Sequence, residues 1–219
     1  RQMCIRDRSY PEGIVDIEAA RITSPATLSL NNTVLSDRDG DGMEDTVSIN
    51  YGVLSNAFFE DLDVQINVRD SSGQLVDSTT DRVAAGGGVS VDGQVFFTAP
   101  LADQYAFEMV MKDMLGEVVD TLQTSPQMLN NMKPVANGSV SLTEVQTWEN
   151  IQFQGAGFDA WGLSLSNNSL PYLDAPTAYA WVFGDNASSN LKSPLRSYTD
   201  VGSYNATLRV QDRGGTWSE

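Results

Sequence analysis

Trp181-Val182-Phe183-Gly184-Asp185-Asn186 decides the fold of the C-terminal half of this chain. Tyr179, Trp181 and Phe183 alternate, which predicts a strand with three large rings on one face and Val182 on the other. Gly184-Asp185-Asn186 is turn chemistry: Gly and Asn tolerate positive φ, and Asp bonds nearby backbone. Downstream come Tyr198, Gly202 and a second alternation. Tyr204, Ala206, Leu208 and Val210 interleave with Asn205, Thr207, Arg209 and Gln211. A period of two with one apolar side puts one face in a core and the other in water.

These residues resemble the polycystic-kidney-disease (PKD) domain, whose hallmark is W-D-F-G-D-G followed by Y-x-x-x-G-x-Y. Tyr198, Gly202 and Tyr204 fit the second segment; Val182 and Asn186 depart from the first. The resemblance runs from Pro134 to Ser218. It implies an immunoglobulin-like β-sandwich and an extracellular interaction module, of the kind also found beside the catalytic domains of microbial collagenases and chitinases. Asp159 stands where some relatives place calcium-binding acids, although Phe158, Ala160 and Trp161 do not continue such a pattern.

Upstream, short alternating runs recur between turns. Val15-Ile17-Ala19, Val47-Ile49-Tyr51 and Val64-Ile66-Val68 each alternate with polar residues. Ser71-Ser72-Gly73-Gln74 reads as a hairpin turn into Leu75-Val76, Val95-Phe96-Phe97 and Tyr105 to Met111 as strands, and Met114-Leu115-Gly116 as a turn into Val118 to Leu122. No segment carries a 3.6-residue apolar period. The fold class expected is therefore all-β, two tandem immunoglobulin-like β-sandwich domains. The first is of immunoglobulin or fibronectin-III type and spans 10–125. A linker covers 126–134, and the PKD-like sandwich covers 135–219 with a long surface loop between Gly155 and Ala178. Residues 1–9 stand apart. Met3-Cys4-Ile5-Arg6-Asp7-Arg8 reads as the in-frame translation of a transposon-type sequencing adapter followed by a disordered start, as in a fragment from an environmental assembly.

Composition excludes several kinds of function. The net charge is −16 with only three lysines, Lys112, Lys133 and Lys192. Setting aside Arg1, Arg6, Arg8 and Asp7 makes it −18. Such a surface repels nucleic acid and anionic membranes. No apolar run approaches the roughly 18 residues that span a bilayer. Histidine is absent and Cys4 is the only cysteine, which removes Ser-His-Asp and Cys-His catalysis and the usual zinc sites. No enzyme is expected.

One motif carries chemistry: Asp37-Arg38-Asp39-Gly40-Asp41-Gly42-Met43-Glu44-Asp45, or D-x-D-x-D-G-x-x-D. Calcium takes six to eight hard oxygens at about 2.3–2.6 Å in flexible geometry. Alternate Asp side chains on a tight loop converge on one point, and Gly42 permits the sharp turn. The expected ligands of a Ca2+ ion are Asp37, Asp39, Asp41, the Met43 carbonyl and Asp45. An EF-hand would need a bidentate Glu where Ser48 stands, and flanking helices where Thr46 to Tyr51 alternates like a strand. The loop therefore resembles the calcium hairpins of integrin α-chain propellers and thrombospondin-type repeats.

Lesser candidates are read structurally. Sequons occur at Asn31, Asn137, Asn167, Asn186 and Asn205, with Asn186 read as a turn residue. Trp148 and Trp161 are read as packing under the long loop, with stacking on sugar rings as the other reading. The function expected is a non-enzymatic fragment of a larger extracellular or cell-surface protein. It would be a set of calcium-stabilised spacer, adhesion or ligand-presenting modules with further tandem domains. Its partner would be an extracellular protein or carbohydrate, without nucleic acid or membrane insertion. The alternative is an accessory segment of a secreted protease or polysaccharide-degrading enzyme.

Overall fold

A computed structural model describes residues 26–165 and 172–219. The adapter-like start, the Val15 to Ala19 alternation and Asn167 lie outside the described residues. The alternations of the N-terminal half form β1 (Ala26–Ser36), β2 (Thr46–Ser55), β3 (Glu60–Arg69), β4 (Leu75–Ala85), β5 (Ser90–Thr98), β6 (Asp103–Lys112) and β7 (Val118–Gln123), followed by a short β8 (Gln127–Leu129). One antiparallel layer has the order β1-β2-β5; the other has the order β4-β3-β6-β7, with β8 also pairing β6. Their inner faces are the alternating residues of the sequence. Val47, Ile49 and Tyr51 meet Val64, Ile66 and Val68 in one core. Phe97 is sealed there, with its ring against Tyr105 and Phe107 at 4.9 and 5.6 Å. The Ser71–Gln74 turn forms as expected: Gly73 takes φ 83°, and Asp70 Oδ1 accepts the N–H groups of Ser72 and Gln74.

Strand β1 was not legible as an alternation. Only Ala26 and Leu28 enter the core, while Leu30, Val34 and Leu35 are exposed. Its place comes from pairing along β2, with a register shift between Leu30 and Asn32.

The C-terminal half adds β9 (Val135–Val140), β10 (Ile151–Ser164), β11 (Tyr172–Asp174), β12 (Ala178–Val182), β13 (Ser188–Ser189), β14 (Leu195–Arg196) and β15 (Thr207–Gln211). Both β9 and β14 pair β10, and they face a second layer ordered β13-β12-β15. Ile151, Phe153, Trp181, Phe183 and Tyr198 form its core. Phe153 meets Trp181 and Phe183 edge-on at 5.2 and 5.0 Å. The Tyr198 hydroxyl donates to the Phe183 carbonyl at 2.9 Å. Val182 points outward and Asn186 takes φ 65°, as the turn reading requires. Gly184 sits at φ 82°, where a Cβ would come within 2.8 Å of the Asn205 backbone. The described residues contain no helix, and the architecture is all-β and immunoglobulin-like.

Two features differ from the patterning of the sequence. Gln127–Leu129, inside the segment read as a linker, is strand β8, held because Leu129 is fully buried in the first core. The segment read as a long loop from Gly155 begins instead as strand. At 3.3 Å per residue, the fourteen residues of β10 extend about 46 Å. That length lets the strand serve both halves. Its early part pairs β9 and β14, whereas Gly162, Leu163 and Ser164 pair Thr98, Phe97 and Phe96 of β5. Leu163 enters the first core, and its N–H donates to Asp77 Oδ2 at 2.7 Å. The rest of that segment includes β11, which folds back on β10 through Asp159, Ala160 and Trp161.

Candidate metal centre

The Asp-rich loop is the turn between β1 and β2, whose last pair is Ser36 with Thr46. Gly40 and Gly42 take φ of 79° and 88°, and the chain coils around the Asp37 carboxylate. Asp37 Oδ1 accepts the N–H of Gly40 at 2.7 Å and of Asp41 at 3.3 Å, and Oδ2 accepts that of Gly42 at 2.8 Å. These donors, Gly42 foremost, hold the Asp37 carboxyl below the usual range. Asp45 lies at the opposite extreme, 1% exposed at the root of the loop. It accepts the Thr46 hydroxyl at 2.7 Å and the N–H groups of Arg38 and Asp39 at 3.0 and 3.3 Å. Burial nevertheless pushes its carboxyl up.

Carboxylate oxygens of Asp37, Asp39 and Asp45 lie within 4.8 Å of one another. Three hard, anionic oxygens so close suit a divalent cation, whose charge would offset both their repulsion and the burial of Asp45. Asp41 is not part of this trio. Its Oδ1 accepts the Met43 N–H at 2.9 Å, and its Oδ2 is 4.0 Å from Lys133 Nζ. Met43 is exposed, and its sulfur takes a contact from Asn130 Nδ2 at 3.5 Å.

The segment after β8 is fastened to this loop. The Lys133 N–H donates to Asp39 Oδ2 at 2.7 Å, and the Asn130 N–H donates to the Glu44 carbonyl at 2.7 Å. Lys133 Nζ also pairs Glu219 at 2.9 Å, which raises the lysine pKa. The loop thus touches the chain where it passes from one core to the other. Nothing in the local pattern at Lys133 signals this, since the contact to Asp39 spans 94 positions.

A second acidic group lies just beyond that segment. Asp159 is 3% exposed, and neither of its carboxylate oxygens has a hydrogen-bond partner among the described residues. Asp212 is 2% exposed and accepts Asn131 Nδ2 at 2.7 Å. Burial first, and then the Asp212 charge, push the Asp159 carboxyl up to about 7; the nearby Ala160 N–H offsets part of this without hydrogen-bond geometry. The folded state therefore holds this proton more tightly than the unfolded state. Its stabilising contribution is complete below the ordinary carboxylate range and is lost as pH rises through about 7. Urea midpoints measured from pH 5 to 8 should fall with pH more steeply in the wild type than in Asp159→Asn. Parallel slopes would show that Asp159 titrates normally.

The tryptophans read as packing residues divide. Trp161 is covered on both faces, by Tyr172 stacked at 4.6 Å and by the Arg213 guanidinium at 4.1 Å, and its Nε1 donates to Asp174. A sugar has no free face there. Trp148 is instead 70% exposed, on a residue with φ 69°.

The two packed layers of each half define an immunoglobulin-like sandwich protein. Residues 131–219, in the C-terminal half of the chain, match the PKD domain family. No family matches the N-terminal half. No curated protein matches the chain. Among solved structures, a β-glucuronidase of Bacteroides uniformis is similar over 52% of this chain and 13% of its own, with 12% identity and a TM-score of 0.36. The sporulation control protein Spo0M of Bacillus subtilis is similar over 85% of this chain and 91% of its own, with 11% identity and a TM-score of 0.34. This chain thus spans a small part of the glucuronidase, and likenesses this distant bear on neither fold nor function.

Proposed function

We propose that this chain is a non-enzymatic part of a larger extracellular or cell-surface protein, in which calcium-stabilised sandwich modules act as spacers or present a ligand-binding surface. PKD domains are typically non-catalytic modules of extracellular proteins. No helix among the described residues is long and apolar enough to cross a membrane. The observation that carries the reading is the Asp37, Asp39 and Asp45 trio, set on a turn that is bonded to Asn130 and Lys133. A Ca2+ ion held there would fix the turn and, through it, the passage between the cores. Asp41 and the Met43 carbonyl would complete the shell after a local rearrangement of the loop. The accessory role beside a secreted hydrolase has one feature in its favour, the exposed ring of Trp148, which offers a stacking face to a sugar.

The test is thermal melting with calcium and with chelator. At calcium a hundredfold above its dissociation constant, the ion should add about 2.7 kcal/mol to the folded state. Chelation should lower the melting temperature, and Asp37→Asn should remove the difference. Identical melting of the wild type with calcium and with chelator would show that the loop is an acidic turn held by its own backbone N–H groups.

A further inference from the structure

The turns at one end of the N-terminal sandwich carry apolar side chains that no core takes up. Ser55 of β2 pairs Ala26, and Leu54 pairs Ser90 of β5, so the β2–β3 turn and the β4–β5 turn lie side by side. Asp63 of β3 pairs Lys112, which brings the β6–β7 turn to the level of Glu60 and Asp61. Phe58 is 99% exposed there, and Phe59, Val89, Met114 and Leu115 are exposed with it. All lie at the end of β2 away from the acidic loop. At 3.3 Å per residue, its ten residues put about 30 Å between the two.

These tips are braced from behind. The Gly87 N–H donates to the Ala57 carbonyl at 2.6 Å, and the Gly88 N–H to the Ser55 carbonyl at 2.9 Å. The Ser55 hydroxyl donates to the Glu60 carboxylate. Gly86 backs the two phenylalanines so closely that a Cβ would come within 2.6 Å of the Phe58 carbonyl oxygen. In the β6–β7 turn, Asp113 Oδ1 accepts the N–H groups of Leu115 and Glu117, both at 2.9 Å. Aromatic anchors held in place by backbone bonds lose little freedom on docking. The charge around them has one sign. Ser55 to Glu60, Gly86 to Val89 and Asp113 to Glu117 contain three acids and neither Lys nor Arg, and Asp61 follows directly. The flanking cations are engaged on the sheet: Lys112 Nζ donates to Gln65 Oε1 at 2.9 Å, and Arg82 pairs Asp63 at 2.8 Å.

We propose that this end of the sandwich docks a basic, amphipathic segment of another polypeptide. Apolar side chains of that segment pack on Phe58, Phe59, Val89 and Leu115, and its Lys or Arg side chains meet Glu60, Asp61 and Glu117. The single sign of charge selects this occupant. Tip-to-tip contact between two copies sets the same acids against each other. A bilayer surface favours cations, not carboxylates, beside the apolar residues that enter it. The proposal rests on the reading of the chain as a ligand-presenting module, and it names the surface and the chemistry of the ligand.

Eight-residue synthetic peptides test this on the full chain: one alternates Leu and Lys, one Leu and Glu, and one Ser and Lys. The Leu-Lys peptide should bind about tenfold or more tightly than either of the others. Phe58→Ser with Phe59→Ser should remove that advantage and, since both side chains are exposed, leave melting unchanged. Val34→Ser with Leu35→Ser, an exposed apolar pair near the acidic loop, should bind as the wild type does. Asp61→Lys with Glu117→Lys should reverse the preference between the Leu-Lys and Leu-Glu peptides. Chelator should change the Leu-Lys affinity by less than about twofold, because the acidic loop is at the opposite end. Phe58-dependent binding without calcium-dependent melting therefore overturns the calcium reading alone, and the reverse overturns the docking surface alone. Equal affinity of the wild type and the Phe58/Phe59 variant, or of the Leu-Lys and Ser-Lys peptides, would overturn the proposal. So would a wild-type dimer in light scattering that this variant abolishes, Phe58-dependent binding to phosphatidylcholine vesicles in place of the peptide, or Leu-Lys binding that emerges only after residues 1–25 are removed. The tips would then belong to a second copy, a bilayer or the chain's own first residues.

Discussion

Trp181→Ala should destabilise the C-terminal half by about 3–5 kcal/mol, the cost of losing a buried aromatic side chain and leaving a cavity. Trp181 is 3% exposed and packs edge-on to Phe153 at 5.2 Å, parallel to Phe183 at 6.4 Å, and against the open backbone of Gly138. The core it belongs to is small, five buried residues including Trp181 with four partly buried neighbours among the described residues, so little remains to collapse into the gap. Urea unfolding followed by far-ultraviolet circular dichroism and by the fluorescence of the remaining tryptophans measures the loss. All four tryptophans, Trp148, Trp161, Trp181 and Trp217, lie in the C-terminal half, which makes fluorescence a probe of that half alone. A midpoint within error of the wild type would mean that Trp181 is not a core residue.

Phe97→Ala should cost a similar amount, about 3–5 kcal/mol, in the N-terminal half. Phe97 is fully buried, with rings of Tyr105 and Phe107 against it. Its strand is flanked on both sides, with Val47 opposite it on β2 and Leu163 opposite it on β10. That second pairing makes this variant informative about cooperativity. If the end of β10 couples the halves, Phe97→Ala shifts the tryptophan transition as well as the circular dichroism transition. If the halves unfold independently, only circular dichroism moves. Limited proteolysis between Gln127 and Lys133 distinguishes the same alternatives in the wild type, since cleavage there without loss of either half would mark a true boundary.

The parts of this molecule that were legible in the sequence are those set by near neighbours. Tyr179, Trp181 and Phe183 announce one buried face because side chains alternate along any strand. Val47, Ile49 and Tyr51 do the same for β2. The Gly184-Asp185-Asn186 turn and the Ser71–Gln74 hairpin were readable because positive φ and Asx bonding are properties of single residues. The converging carboxylates of the Asp37 to Asp45 loop follow from spacing within one turn. For three of the four aspartates the spacing sufficed, and the fourth, Asp41, is drawn away by the Met43 N–H and by Lys133.

What the sequence by itself determined, then, is an all-β chain, the strands whose inner faces alternate, the PKD resemblance of the C-terminal half and the position of the acidic turn. The tertiary structure decided everything that depends on distant pairing. It placed β1 by its partner, turned Gln127–Leu129 from linker into strand, ran β10 from one core to the other, and set Lys133 on the acidic loop. It also buried Asp159 beside Asp212 and gathered Phe58, Phe59 and Leu115 at one end of the first sandwich. The physical reason is one of range. Alternation and turn chemistry act over two to four residues, whereas a contact such as Lys133 with Asp39 exists only after two sheets have paired, packed and brought together backbone that the chain itself keeps far apart.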